Sequence, residues 1–258
     1  MNEKNILEIN SEFGFRHGDI GTHTSRTIML EELGALLDNC SPDSKREDYI
    51  IAIIENNCLG KRTVATRKLS CQRLSELYGL DPEVILFRVM RQLWYIDQWG
   101  KPILAMLLAL ARDPLLLATV PPILRMHPGE ELSRQQLVDS IRYTVGQRLS
   151  AATLDKVVRN TASSWTQSGH LNGRSRKFRK KITPTPANTV FALLLGYLGG
   201  KRGVSLFDSI WTQVLDSSAE ELIALAADAR RLGFLDMIRS GGVIEVAFSR
   251  FLGSNERW

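Results

Sequence analysis

The chain has 258 residues, 44% hydrophobic and 24% charged, with a formal net charge of +5. That length and apolar content fit one large or two modest globular domains. Three cysteines, Cys40, Cys58 and Cys71, odd in number and without paired spacing, exclude a disulfide framework and a structural zinc, and fit reduced cytosolic thiols.

Residues 1–22 read as an arm, with Phe13, Phe15 and Ile20 set among glycines and polar residues and no sustained period. The start, MNEKNILEIN, lacks an apolar signal core, so a cytoplasmic location is expected. His17, Asp19 and His23 lack the neighbouring carboxylates that a metal site would want.

Thr24–Leu37 is expected to be helical, with Ile28, Met29, Leu33, Leu36 and Leu37 inward. Ser41 as N-cap and Pro42 at the first helical position predict the next helix, which carries Tyr49, Ile50, Ile53 and Ile54 and ends near Asn57. Gly60 breaks the chain, and Thr63 caps a further helix in which Cys71, Leu74, Leu77 and Tyr78 face inward. A helix, a turn and a basic helix outline a helix-turn-helix. In that geometry Lys61, Arg62, Thr63, Thr66, Arg67 and Arg73 approach groove or phosphates, with Lys68 and Gln72 nearby.

Asp81-Pro82-Glu83 should open the next helix, apolar around much of its circumference from Val84 to Ile96, with Trp94 and Trp99 as packing residues. The apolar tract from Pro102 to Leu124 is split by Arg112, Asp113 and Pro114. Central charges are costly in a bilayer, and each half falls short of a span, so two short buried helices are expected there. A boundary near Gly129 divides the chain into 1–128, an arm with a helical domain, and 129–258, a helical domain with a basic wing and a second helix-hairpin unit.

Ser133 and Gln136 match a capping box ahead of Leu137, Val138, Ile141, Val145 and Leu149. Ser150 then caps a helix whose Leu154, Val157, Val158, Thr161, Ala162 and Trp165 share one face, and Gly169 closes it. After a turn at His170–Gly173 come Arg174, Arg176, Lys177, Arg179, Lys180 and Lys181, six cations in eight residues with Phe178 among them. Lys180–Thr183 is expected to return as a strand, stopped by Pro184 and Pro186. From Glu130 to Lys181 there are eleven Lys/Arg against four Asp/Glu, so the remainder of the chain is slightly acidic. Such an uneven charge favours an anionic partner at one face.

Asn188–Leu198 is strongly apolar, and GGKRG at 199–203 reads as an interhelical turn because it lacks Walker spacing. A short helix over Leu206–Leu215 should bury Ile210, Trp211, Val214 and Leu215. Ser218 and Glu221 form a capping box for a helix carrying Leu222, Leu225, Ala226, Ala229 and Leu232. Phe234–Ile238 and Val243–Phe248 then flank a hairpin turn, and this second hairpin is not basic. The fold class is therefore mainly α, with helix-turn-helix or winged-helix-like modules and short β-hairpin wings. No acid pair suggests a nuclease, Cys58 and Cys71 read as buried thiols, and Ser133 and Ser150 read as caps, so the chain reads as non-catalytic and without a cofactor.

The segment ENNCLGKRTVATRKLSCQRLSELYGLDP, Glu55 to Pro82, resembles the BrxA family of bacterial BREX phage-defence systems. The likeness lies in a short amphipathic helix, a glycine, a Lys-Arg pair and a Ser/Thr/Arg-rich helix, here Gly60, Lys61, Arg62, Thr63, Thr66 and Arg67, and it continues to about residue 170. It does not extend to the arm or the last seventy or so residues. The resemblance implies a small, non-catalytic, mostly helical protein that binds nucleic acid through winged-helix-like parts. It would act beside larger BREX components that methylate host DNA and block phage replication. Some proteins of this type carry an inner-membrane label, against which the broken apolar tract argues. The leading expectation is duplex DNA binding through phosphates. The alternatives are a helical RNA binder and an assembly adaptor whose basic segment meets an acidic protein.

Overall fold

The computed structural model describes residues 11–18 and 20–252, so Asp19 and the first ten residues of the arm lie outside the described residues. The protein is mainly helical with two small antiparallel hairpins. Its first half contains α1 (Leu30–Asn39), α2 (Arg46–Ile54), α3 (Val64–Tyr78), α4 (Ile85–Ile96), α5 (Lys101–Arg112), α6 (Pro114–Leu117) and α7 (Val120–Arg125). Next come α8 (Arg134–Val145), α9 (Ala151–Gln167), the hairpin β1 (Leu171–Asn172) and β2 (Phe178–Arg179), and α10 (Pro186–Leu198). The chain continues through a 3-10 turn (Gly203–Asp208), α11 (Ile210–Gln213) and α12 (Ala219–Arg231) to the hairpin β3 (Asp236–Ser240) and β4 (Val243–Ala247).

Two helices lie at the centre because they are apolar on every side. In α5, every residue from Ile103 to Ala111 is buried, and α10 is buried from Ala187 to Gly196. Around them α3 and α12 turn one face inward, α4 is buried around most of its circumference with Gln92 and Ile96 exposed, and the buried side chains form a cluster from Phe13 to Leu252. Helices from both sides of Gly129 meet in it, α5 and α4 packing on α10. Phe13 and Phe15 of the arm are also buried in this cluster, while Ile20 is exposed. Arg112 holds the arm down. Its guanidinium donates to the carbonyls of Ser75 and Glu76, at the end of α3, and to that of Gly14.

The split apolar tract forms α5, α6 and α7. Asp113 caps α6, its carboxylate accepting from the amides of Leu115 and Leu116. Lys101–Arg112 and Pro114–Arg125 meet at a 106° bend, and among the described residues no single helix is long and apolar enough to cross a membrane.

Several helices begin later than their sequence signals suggest, each for a traceable reason. The stretch from Thr24 is not continuous helix: a 3-10 turn covers Thr22–Thr24, and α1 starts only at Leu30. The amide of Ile28 is taken by Ser164 Oγ and that of Leu30 by Gln167 Oε1, both on α9, and Met29 sits at φ +52°. Ser41 caps no helix. Its hydroxyl accepts from the Asp43 amide and its carbonyl from the Ser44 amide in a turn, and α2 starts at Arg46 after the Lys45 amide bonds Asp48. Asp81 likewise closes a turn onto the Glu83 amide, so α4 starts at Ile85.

Trp94 is buried as expected, but Trp99 is 91% exposed. The Asp97 carboxylate accepts from the amides of Trp99 and Gly100, and this tight turn carries Trp99 outward. Ser133 precedes α8 without a side-chain capping bond. Pro186 does not merely stop a strand: it is the first residue of α10, capped by Thr185. The 206–215 segment is a 3-10 turn followed by α11, with Val214 and Leu215 buried, Trp211 half-buried and Ile210 partly exposed. The Ser218–Glu221 capping box is present, while Leu232 is exposed. The last hairpin pairs Ser240 with Val243 across Gly241-Gly242.

Candidate nucleic-acid interface

The basic segment is positioned from beneath by α9. Ser150 caps it, accepting from the Thr153 amide at 3.2 Å, and Leu154, Val157, Val158, Thr161, Ala162 and Trp165 are all buried on its inner face. Trp165 donates its ring N–H to Thr119 Oγ1 at 2.8 Å. Ser164 is fixed by three partners: the Ile28 amide, the Asn160 carbonyl and His23 Nε2 at 2.8 Å. The other nitrogen of His23 meets Asp113 at 2.8 Å, so a buried Asp-His-Ser chain ties arm, α6 and α9 together. Burial by itself would raise the Asp113 carboxyl. Attraction to His23 and hydrogen bonds from the His23 ring and the amides of Leu116 and His23 hold it below its usual range.

Gly169, at φ +88°, ends α9. The return strand is Phe178–Arg179, paired with Leu171–Asn172, and not Lys180–Thr183. Arg179 fixes that register from inside. Its guanidinium donates to the carbonyls of Ile123 at 3.1 Å and His170 at 3.3 Å and pairs with the Asp216 carboxylate, whose other oxygen accepts from the Ile182 amide at 3.1 Å. The entry to α8 also joins the hairpin: Arg179 N–H donates to the Glu130 carbonyl, Leu132 N–H to that of Lys177, and Gly129 N–H to that of Arg179.

These constraints bring α8, α9 and the hairpin around a groove of about 350 Å³. Its walls carry Arg134, Arg159, Arg174, Arg176 and Lys177 against one acid, Glu131, and its floor is Leu137, Val158 and Ala162. Arg176 forms a two-pronged pair with Glu131, its Nε 2.8 Å from Oε1, and lies 5.5 Å from the Phe178 ring. That pair holds the Glu131 carboxyl below its usual range. Lys177 Nζ donates to Thr166 at 2.9 Å, and partial burial lowers its ammonium pKa. Asp155 receives Arg134 at 2.7 Å and Arg159 at 3.1 Å, which keeps its carboxyl low, Arg134's hydrogen bond contributing most.

Of the cations singled out in the run, Arg174, Arg176, Lys180 and Lys181 are exposed, Lys177 is half-buried, and Arg179 is buried and engaged by protein groups. In α3 and the turn before it the placement is more structural. Lys61 pairs with Glu32 at 3.0 Å, Arg67 caps the Ile54 carbonyl of α2 at 3.0 Å, and Arg73 pairs with Glu76 at 2.8 Å. Thr63 caps the helix and shares a hydrogen bond with Thr66. Arg62 and Lys68 face solvent. A chain of contacts links the two basic segments: Lys61 to Glu32 on α1, Leu30 of α1 to Gln167, and the adjoining Thr166 to Lys177.

Arg134 and Arg159, which the charge run did not bring forward, belong to the groove. The signal available for Arg159 was an acid four residues earlier, at Asp155, on the helix face away from the apolar stripe. Compared with protein-family models and with curated proteins, the sequence matches none.

Proposed function

We propose that this protein is a non-catalytic, nucleic-acid-binding component of a BREX-type phage-defence system, holding duplex DNA mainly through its phosphates. The observation that carries the DNA reading is the groove where α8, α9 and the basic hairpin converge, with five cations and one acid on its walls. The order helix, helix, hairpin is that of a winged helix, whose second helix enters the major groove while flanking cations meet the backbone. Phe178, the aromatic of the run, is half-buried with Arg176 over its ring, an arrangement better suited to a duplex backbone than to stacking an unpaired base. The defence-system assignment rests on the resemblance of Glu55–Pro82 to the BrxA family, and other BREX proteins would be its partners.

The test is fluorescence anisotropy with labelled duplex DNA over a salt series. Alanine at Arg174, Arg176, Lys177, Lys180 and Lys181, with Arg179 retained, should weaken binding. It should also flatten the log–log salt slope by about one unit for each phosphate those side chains neutralise. A salt-independent response, or competition by duplex RNA well ahead of duplex DNA, would overturn the DNA reading.

A further inference from the structure

Arg134, Arg159 and Arg176 all line the groove, yet they are held differently. Arg176 commits Nε and a terminal nitrogen to Glu131, and Arg134 commits terminal nitrogen Nη2 to Asp155. Arg159 comes closest to Asp155 through Nε, 3.1 Å from the carboxylate. Its two terminal nitrogens form a planar pair that makes no hydrogen bond to the described residues. Asp155 is not part of the groove's lining, so it orients the guanidinium from behind without occupying the space a ligand would enter.

We propose that Arg159, oriented by Asp155, reads guanine in the major groove of duplex DNA, a role that rests on the DNA-binding reading above. The chemistry matches: guanine offers O6 and N7 as adjacent acceptors, and an arginine fork donates to both at once. So does the placement. Asp155, Arg159 and Ser163 fall on one row of α9, away from the buried stripe, and an α-helix fits the width of the major groove. A phosphate contact needs only a charge at the end of a mobile side chain, whereas a base contact needs a planar fork held at one angle. The acid-before-base order at four residues is the favourable orientation for such a pair within a helix. Asp155 is in these terms a positioning residue, and Arg159 the one that touches DNA.

The test is selection from a randomised duplex DNA pool with the full chain, the bound fraction being sequenced, alongside anisotropy on the unselected pool. Wild type should enrich a motif with one strongly preferred guanine. Arg159→Lys keeps the charge and loses the fork, so preference at that guanine should fall by about tenfold, a larger factor than any loss of pool affinity. Asp155→Asn should flatten the same position even though it makes the surface more positive. The opposite result for Asp155→Asn, tighter pool binding with an unchanged motif, would show an ordinary surface ion pair and overturn the proposal. Pool binding by wild type with no enriched guanine would also overturn it while leaving phosphate binding intact. Absence of pool binding by every form would remove both. Each variant's thermal midpoint is recorded, since a structural role would move stability and the preference of all positions together.

Discussion

Replacing Arg179 by alanine separates a structural cation from binding ones within a single charge run. The guanidinium and the Asp216 carboxylate are 5% and 9% exposed, so truncation leaves a carboxylate inside the protein with its main partner gone. The carbonyls of Ile123 and His170 lose a donor as well. Breaking a buried pair from one side costs about 3–5 kcal/mol. Alanine at the exposed Arg174 or Lys180 should shift stability by no more than about 0.5 kcal/mol. Urea unfolding followed by tryptophan fluorescence measures both, since Trp165 packs edge-on against His170, the residue bonded to Arg179, at a centroid distance of 4.9 Å. Joint removal of Arg179 and Asp216 should cost less than the sum of the single changes. If Arg179→Ala unfolds within about 1 kcal/mol of wild type and instead loses DNA affinity as Arg174→Ala does, the buried-anchor assignment is wrong.

Gly173 lies at φ +101°, and a Cβ there would collide with the Arg176 carbonyl, so Gly173→Ala should distort the hairpin tip and weaken DNA binding several-fold while leaving the helical circular dichroism unchanged. His170 is buried between Ser168 and the Val214 carbonyl, and burial pushes its pKa from 6.5 down to about 4. The unfolded chain therefore takes up the proton first. The stabilisation is complete above pH 6.5 and falls away as the pH drops to about 4, a loss of roughly 3 kcal/mol that His170→Gln should flatten in a pH series of urea midpoints. Asp113→Ala removes both the cap of α6 and the partner of His23, and should destabilise by about 3 kcal/mol or more and make the arm around Phe15 sensitive to limited proteolysis.

What could be read from the sequence was local. The stripe of α9, the Ser150 and Thr63 caps and the Ser218–Glu221 box depend on residues within two turns of one another, and all are present. The errors lie where a distant group competes for a backbone donor or a side chain. The start of α1 is set by Ser164, 136 residues from Ile28, and the burial of Arg179 by Asp216, 37 residues away. Nothing near Arg179 distinguishes it from Lys180, because both belong to one unbroken run of charge. Trp99 illustrates a nearer failure: a turn formed by Asp97 overrides the tendency of tryptophan to pack inward.

The same competition changes how the positive charge should be counted. Between Glu130 and Lys181 the formal excess is large, but Arg179 is consumed by Asp216, Arg176 is paired with Glu131, and Arg134 and Arg159 share Asp155. Lys181 lies in the field of Glu221, whose carboxyl it helps to lower. Arg174, Lys177 and Lys180 have no carboxylate partner among the described residues. Exposed ion pairs are weak enough for phosphates to displace, whereas the buried one is not. The salt slope should then reflect about four to six neutralised phosphates, fewer than the number of cations in and around the run. A slope equal to the full cation count would mean that the hairpin rearranges on binding and releases Arg179 from Asp216, which the separate cost of Arg179→Ala to stability and to affinity would reveal.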